Sequence, residues 1–264
     1  MQMKFIILAS GSRGNCTYLE IGTKRFLIDI GISLRQVQSR LELSHMELSG
    51  IDGIFITHEH ADHVAGLVST VKKYKPRVYM TEGTYKNLPR PILTGLDPSL
   101  VEIINFDDFI MIDGFTVRPF MTYHDALEPC GYKFTEAGKN LVYMTDSGYF
   151  PQKHFDIIRN ADAYIIESNH EPELLLESDR PWMLKKRILD DQGHLSNEDS
   201  AFLLINVLGE NTKTIVLAHL SQECNTPEVA LQVYKRVFEE QGLIYQDYHV
   251  IYAMQDQPIG EVVL

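Results

Sequence analysis

From Thr57 to His63 the chain reads Thr-His-Glu-His-Ala-Asp-His, which sets His58, His60, Asp62 and His63 in the order His-x-His-x-Asp-His. Neutral imidazole and carboxylate are the ordinary ligands of zinc, manganese and iron. Gly53-Ile54-Phe55-Ile56 ahead of the cluster reads as a short buried strand, and Val64, Leu67, Val68 and Val71 behind it fall at helical spacing. The cluster therefore occupies a strand-to-helix turn, where neighbouring side chains can point into one space. A merely solvated loop gives no reason for so many imidazoles and carboxylates to crowd together.

The other polar signals also fall at strand ends. His124 follows Phe120-Met121-Thr122-Tyr123, Asp146 follows Leu141 to Thr145, and His219 follows Ile215-Val216-Leu217-Ala218. His194 stands in Gly-His-Leu-Ser just before a helix, and Glu167-Ser168-Asn169-His170 ends another strand. Any one of these alone reads more readily as structural. As a set they matter, because ligands at strand ends converge on one edge of a sheet. His45, His154 and His249 read as ordinary surface or satisfied histidines. Asp29 ends an apolar strand just before Gly31, and a buried carboxylate there needs a partner such as a metal-bound histidine. Ser10-Gly11-Ser12-Arg13-Gly14-Asn15 lacks the spacing and Lys of a phosphate-binding P-loop. It is either a plain connection or a backbone cradle for an anion, with Arg13 or Asn15 near substrate.

The positioning elements follow from the pattern. Strands are expected at Phe5–Leu8, Cys16–Ile21 and Arg25–Ile30, and Ser33 caps a helix carrying Leu34, Val37 and Leu41. After the metal turn and its helix, Arg77–Thr81 is a strand, and the Pro- and Gly-containing stretch 84–99 reads as a loop with at most a helical turn. Short strands recur near 101–104, 109–112 and 115–121, and Cys130–Thr135 pairs antiparallel with Leu141–Thr145. Beyond these, a helix near 152–160 precedes a strand at Ala163–Ile166, and 171–193 is polar and partly helical. A helix capped by Ser196, a strand at Thr214–Ala218, a helix from Thr226 to Gly242, and strands at Val250–Met254 and Ile259–Val263 complete the chain.

A length of 264 residues and a hydrophobic share of 44% allow one sizeable core, and residues 1–264 are expected to form a single domain. No apolar run reaches membrane-spanning length and no signal-peptide core follows the N-terminus, so no membrane association is expected. Cys16, Cys130 and Cys224 form no CxxC pair, which points to reduced thiols and a cytoplasmic location. A net charge of −12 argues against a wide nucleic-acid face, though not against a local one beside bound cations.

His58-x-His60-x-Asp62-His63, followed by His124, Asp146 and His219, resembles the successive metal motifs of the metallo-β-lactamase superfamily. The Ser-Gly-Ser-Arg-Gly-Asn opening, His-Asp-Ala at 124–126, Thr-Asp-Ser-Gly-Tyr at 145–149, Glu-Ser-Asn-His at 167–170 and Gly-His-Leu-Ser-Asn at 193–197 are similar to its YycJ (WalJ) branch. The resemblance implies an α/β fold, a four-layer αββα sandwich with helices outside two sheets. It implies two divalent metal ions, zinc or manganese. His58, His60 and His124 would hold one, Asp62, His63 and His219 the other, with Asp146 bridging. It implies kinship with ribonuclease Z and phosphonate-pathway phosphodiesterases, and for the branch a 5′-to-3′ DNA exonuclease linked to mismatch repair.

On that resemblance Asp62 orients the attacking water and His194 donates a proton to the leaving alkoxide. His194 precedes a helix N-terminus, where the dipole disfavours imidazolium, so it needs a carboxylate, and Glu167 is the candidate. Arg13, Asn15 and His170 are candidate substrate contacts. Lys185, Lys186, Arg187 and Arg90 could form a small basic rim for a DNA end. The alternatives are hydrolysis of a small phosphodiester, which the acidic balance favours, and hydrolysis of a thioester or lactone, which needs no such histidine.

Overall fold

The computed structural model describes residues 2–264, which divide into two compact units. The first comprises the chain up to Met121 with Ala126–Cys130 and Ala253–Leu264; the second comprises Thr122–Asp125 and Gly131–Tyr252.

In the first unit β1 (Met3–Ala9), β2 (Cys16–Ile21) and β3 (Lys24–Ile28) form an antiparallel meander. β4 (Gly53–Phe55), β5 (Arg77–Thr81) and β6 (Val101–Ile104) continue that sheet in parallel. Parallel neighbours need crossovers, and helices supply each of them. α1 (Leu34–Leu43) joins β3 to β4, with Ser33 and Gln36 closing a capping box. α2 (Ala61–Val64) and α3 (Leu67–Tyr74) join β4 to β5, and α4 (Glu82–Asn87) and α5 (Arg90–Gly95) join β5 to β6. Ile6, Leu8, Leu27, Ile54, Ile56, Leu67, Val78 and Met80 make the core of this unit. β7 (Ile110–Ile112) and β8 (Phe115–Met121) form a hairpin.

In the second unit β9 (Cys130–Glu136) and β10 (Lys139–Met144) are antiparallel. β11 (Ala163–Glu167), β12 (Thr214–Ala218) and β13 (His249–Tyr252) follow in parallel. All of β11 and β12 is buried, which explains their unbroken apolar runs. α6 (Phe155–Ile158), α7 (Pro172–Glu177), α8 (Trp182–Leu189), α9 (Asn197–Val207) and α10 (Pro227–Glu240) fill the connections. β14 (Val262–Val263) returns to the first unit and pairs antiparallel with β1. Among the described residues, no helix is long and apolar enough to cross a membrane.

Three expectations need correction. Stretch 84–99 is not a loop: it holds part of α4, all of α5 and a 3-10 turn at Pro98–Leu100. Six-residue helices are too short for a periodic signal, yet Tyr85, Ile92 and Leu93 pack on the core and Thr81 caps Thr84 N. The helix behind the metal turn is broken at Gly66, whose N–H donates to Ile30 O at 2.8 Å. A Cβ there would lie 2.2 Å from Ile32 O, so the sequence needs glycine where the two backbones meet. The last strand is confined to Val262–Val263, although Ile259 N still donates to Ile7 O.

Candidate metal centre

In the first unit the cluster leaves β4 and is pinned by backbone bonds from neighbouring loops. Asn15 N donates to Asp62 O at 2.8 Å and Ile30 N to His63 O at 2.8 Å. Gly31 passes so close that an added Cβ would fall 1.6 Å from Asp62 O. The turn gathers the imidazoles: the His58 ring centroid is 4.0 Å from that of His63 and 4.6 Å from that of His60. Asp29 Oδ2 lies 2.8 Å from His63 Nδ1, with both side chains fully buried. Asp29 also accepts from Thr57 N at 2.8 Å and Thr57 Oγ1 at 2.9 Å. Burial raises the Asp29 carboxyl above its ordinary value, against the pull of His63 and of the bonds from Thr57. The carboxylate fixes the proton of His63 on Nδ1, which assigns the lone pair to Nε2, the arrangement of a metal-bound histidine.

In the second unit His124, Asp146, Glu167, His194 and His219 come together. His124 Nδ1 donates to Gly193 O at 3.0 Å, again turning Nε2 outward as the acceptor edge. Asp146 Oδ1 lies 3.8 Å from His124 Nε2, 3.5 Å from His219 Nδ1 and 3.7 Å from His194 Nδ1. Glu167 Oε1 meets His194 Nδ1 at 2.8 Å and His219 Nδ1 at 2.9 Å. Its Oε2 accepts from Ser147 N at 3.0 Å and Leu195 N at 3.2 Å. Burial alone would raise Glu167, but the nearby His194 and the bonds from His194 and His219 outweigh it and bring the carboxyl down to about 2. Burial holds His124 below its ordinary value, despite the opposing Asp146 carboxylate, so the ring stays neutral as a ligand must.

Three of these groups sit in the left-handed backbone region at the ends of their strands: Asp29 at φ 57°, Asp146 at φ 57° and His219 at φ 55°. Such a turn lifts a side chain off the sheet's alternation and aims it past the strand end. Both clusters suit a divalent metal by the chemistry of their donors, since imidazoles anchored through one nitrogen, His63, His124 and His219, stand beside carboxylates.

The remaining expected contacts are placed differently. Asn15 is buried, with Nδ2 3.1 Å from His63 Nε2 and 3.4 Å from Asp62 Oδ2, so it braces the cluster. Arg13 is exposed and fastened to Asp256 at 2.8 Å and, through its N–H, to Gln255 Oε1. His170 is buried at 1% exposure, neither ring nitrogen has a hydrogen-bond partner, and burial lowers the imidazole to about 4. The basic run reaches the surface only in part. Lys185 is buried and its Nζ donates to Leu176 O and Ser178 O at 2.6 Å, while Arg187 is paired with Asp125. Lys186 and Arg90 are exposed.

Sequence reasoning missed several supports. Asn169 Nδ2 donates to His219 O at 2.9 Å, and its place in Glu-Ser-Asn-His was the only signal. Gly193 acts through its carbonyl and left no side-chain signal at all.

Comparison with known proteins agrees with this geometry. Residues 24–220 match the β-lactamase superfamily domain. The chain is 40% identical over 228 residues to exodeoxyribonuclease WalJ of Streptococcus pneumoniae D39, covering 86% of this chain and 85% of that one. It is 36% identical over 242 residues to exodeoxyribonuclease YycJ of Bacillus anthracis, covering 92% and 91%. The metallo-β-lactamase-fold protein YhfI of Bacillus subtilis superposes with a TM-score of 0.71 at 16% identity, over 99% of this chain and 100% of the other. With two mixed sheets, their helices and these motifs, the chain belongs to the β-lactamase superfamily, among the metal-dependent hydrolases that include WalJ and YycJ.

Proposed function

We propose that the chain is a metal-dependent phosphodiesterase that degrades DNA as a 5′-to-3′ exonuclease. Its relatives WalJ and YycJ are named exodeoxyribonucleases, which supports nucleic acid as substrate and DNA in particular. The family match spans both compact units, which supports reading residues 1–264 as one functional domain. On this reading His58, His60, Asp62, His63, His124, Asp146 and His219 would supply the ligands of two divalent cations, with Asp146 shared. The imidazole-rich donors suit zinc and tolerate manganese. Divalent cations held there would polarise the scissile phosphate and bring a water to nucleophilic strength at neutral pH. Asp62 orients that water, and His194 gives its proton to the departing sugar oxygen.

The observation that carries the proposal is the bond between His194 and Glu167. A histidine ahead of a helix N-terminus is a poor cation by itself. A buried carboxylate lies 2.8 Å from His194 Nδ1, the partner that a histidine needs to act as proton donor to a poor leaving group. A thioester or lactone hydrolase needs no such donor. The test is to offer metal-loaded protein 5′-labelled duplex DNA, RNA, bis-p-nitrophenyl phosphate and a thioester in parallel, with EDTA controls. Progressive EDTA-sensitive shortening of DNA from the 5′ end is expected. Turnover of the small phosphodiester with DNA left intact would overturn the DNA reading.

A further inference from the structure

Helix α8 carries an unusual pair of side chains. Trp182 is 66% exposed and Met183 85% exposed, next to each other in its first turn. Lys185 and Ile188 bury the opposite face. Met183, Lys186, Arg187 and Asp190 recur at i, i+3, i+4 and i+7, so they share one face. With Asp125 and Gln192 they line a cavity of about 310 Å³. Trp182 and Lys186, four residues apart, are surface neighbours beside it.

This cavity is tied to the metal-binding cluster of the second unit. Arg187 Nε donates to Asp125 Oδ2, and Asp125 Oδ1 lies 3.3 Å from His124 Nε2. Gly193, next to the lining residue Gln192, holds His124 Nδ1 with its carbonyl, and His194 N donates to Ile188 O at 3.0 Å. The chain segment that walls the cavity therefore continues directly into the proposed proton donor.

We propose that this cavity receives one unpaired nucleotide of the strand being degraded, with Trp182 stacking on an adjacent base and Lys186 meeting its phosphate. The inference rests on the nucleic-acid reading above and adds the element that grips the strand. The size lies at the low end of the roughly 300–1,000 Å³ of small-molecule sites, enough for a single nucleotide and not for a duplex. The lining offers what a base needs: the apolar face of Met183, the donor and acceptor of the Gln192 amide, and the carboxylate of Asp190. The exposed Trp182 ring beside the exposed Lys186 supplies a stacking surface and a cation of the kind that single strands use.

Trp182 is the chain's one tryptophan, so its emission reports on this helix alone. Metal-loaded protein is titrated with a fluorescein-labelled, phosphorothioate-linked oligodeoxythymidylate, following label anisotropy and, with unlabelled strand, tryptophan emission. Saturable quenching with the same midpoint as the anisotropy is expected. Trp182→Ala should weaken binding about 5- to 150-fold, and Trp182→Phe should restore most of it, since stacking survives. Matching thermal melts of the variants would exclude a folding defect. Binding by anisotropy with unchanged emission and parental affinity in Trp182→Ala would overturn the proposal and leave the exonuclease reading intact. An oligomer that dissociates in Trp182→Ala while DNA affinity stays parental would also overturn it, making the patch a contact between copies. Failure to bind DNA at all would remove both readings.

Discussion

Glu167 Oε1 lies 2.8 Å from His194 Nδ1, and the same oxygen lies 2.9 Å from His219 Nδ1. One buried carboxylate therefore serves a candidate proton donor and a candidate metal ligand. The two roles separate by leaving group. His194→Ala should lower cleavage of DNA, whose sugar oxygen needs a proton, by about 10²–10⁴-fold. Cleavage of bis-p-nitrophenyl phosphate should fall far less, because p-nitrophenolate leaves unprotonated. Equal loss on both substrates, or an emptied metal site, would make His194 a ligand or positioning group. Glu167→Gln should go beyond this pattern, because it also loosens His219: metal affinity should drop as well, which competition with a chelator would measure.

Asp29 holds His63 by Nδ1 and takes two further bonds from Thr57. Outer supports of this kind are worth about 10- to 100-fold in metal affinity. Asp29→Asn should weaken binding of the metal that His63 would hold by that factor while leaving the protein folded. Parental affinity in a metal-competition titration would show that Asp29 only braces the turn.

The two-metal proposal has its own test. Elemental analysis of the fully active protein should give two divalent ions per chain. Asp146→Ala, which removes the proposed bridge, should lose both ions or leave one poorly held. One ion in a fully active preparation would sink the dinuclear assignment.

The basic run divides into two kinds of lysine. Lys185 Nζ ties the end of α7 to α8 through two carbonyls, so Lys185→Met should cost about 1–3 kcal/mol in urea unfolding. Lys186 is exposed, so Lys186→Glu should leave stability within about 0.5 kcal/mol and flatten the salt dependence of DNA binding. The reverse outcome would reassign the two residues.

His170 sets a pH dependence of stability. Its imidazole is lowered from 6.5 to about 4 by burial. As pH falls below 6.5 the unfolded chain takes up a proton that the folded protein refuses until about 4. Stability is therefore lost on acidification across that window, by up to about 3 kcal/mol. His170→Gln cannot take up that proton. Its unfolding free energy relative to the parent should improve steadily between pH 7 and pH 4, and a pH-independent difference would contradict the assignment.

The ligand turn was legible because it is local: seven consecutive residues carry the metal motif, and an apolar strand and a helical period flank it. Asp29 could be anticipated because a carboxylate ending an apolar run demands a partner. The pairing of Glu167 with His194 could be anticipated from helix electrostatics, but its second bond to His219 could not, since the two lie 52 residues apart. Lys185 was misread because a run of basic residues carries no sign of which one turns inward along a helix. The helices at 82–95 were missed because tertiary packing and one cap, not periodicity, make them.

The left-handed turns at Asp29, Asp146 and His219 set two selective pressures against each other. A non-glycine residue held there costs on the order of 1–3 kcal/mol, against a total stability of about 5–15 kcal/mol for a typical domain. Glycine would relieve that tension, and it would erase a ligand or its support in the same stroke. Selection of hardier variants on heat resistance alone would therefore drift toward a sturdier protein less able to bind a divalent metal.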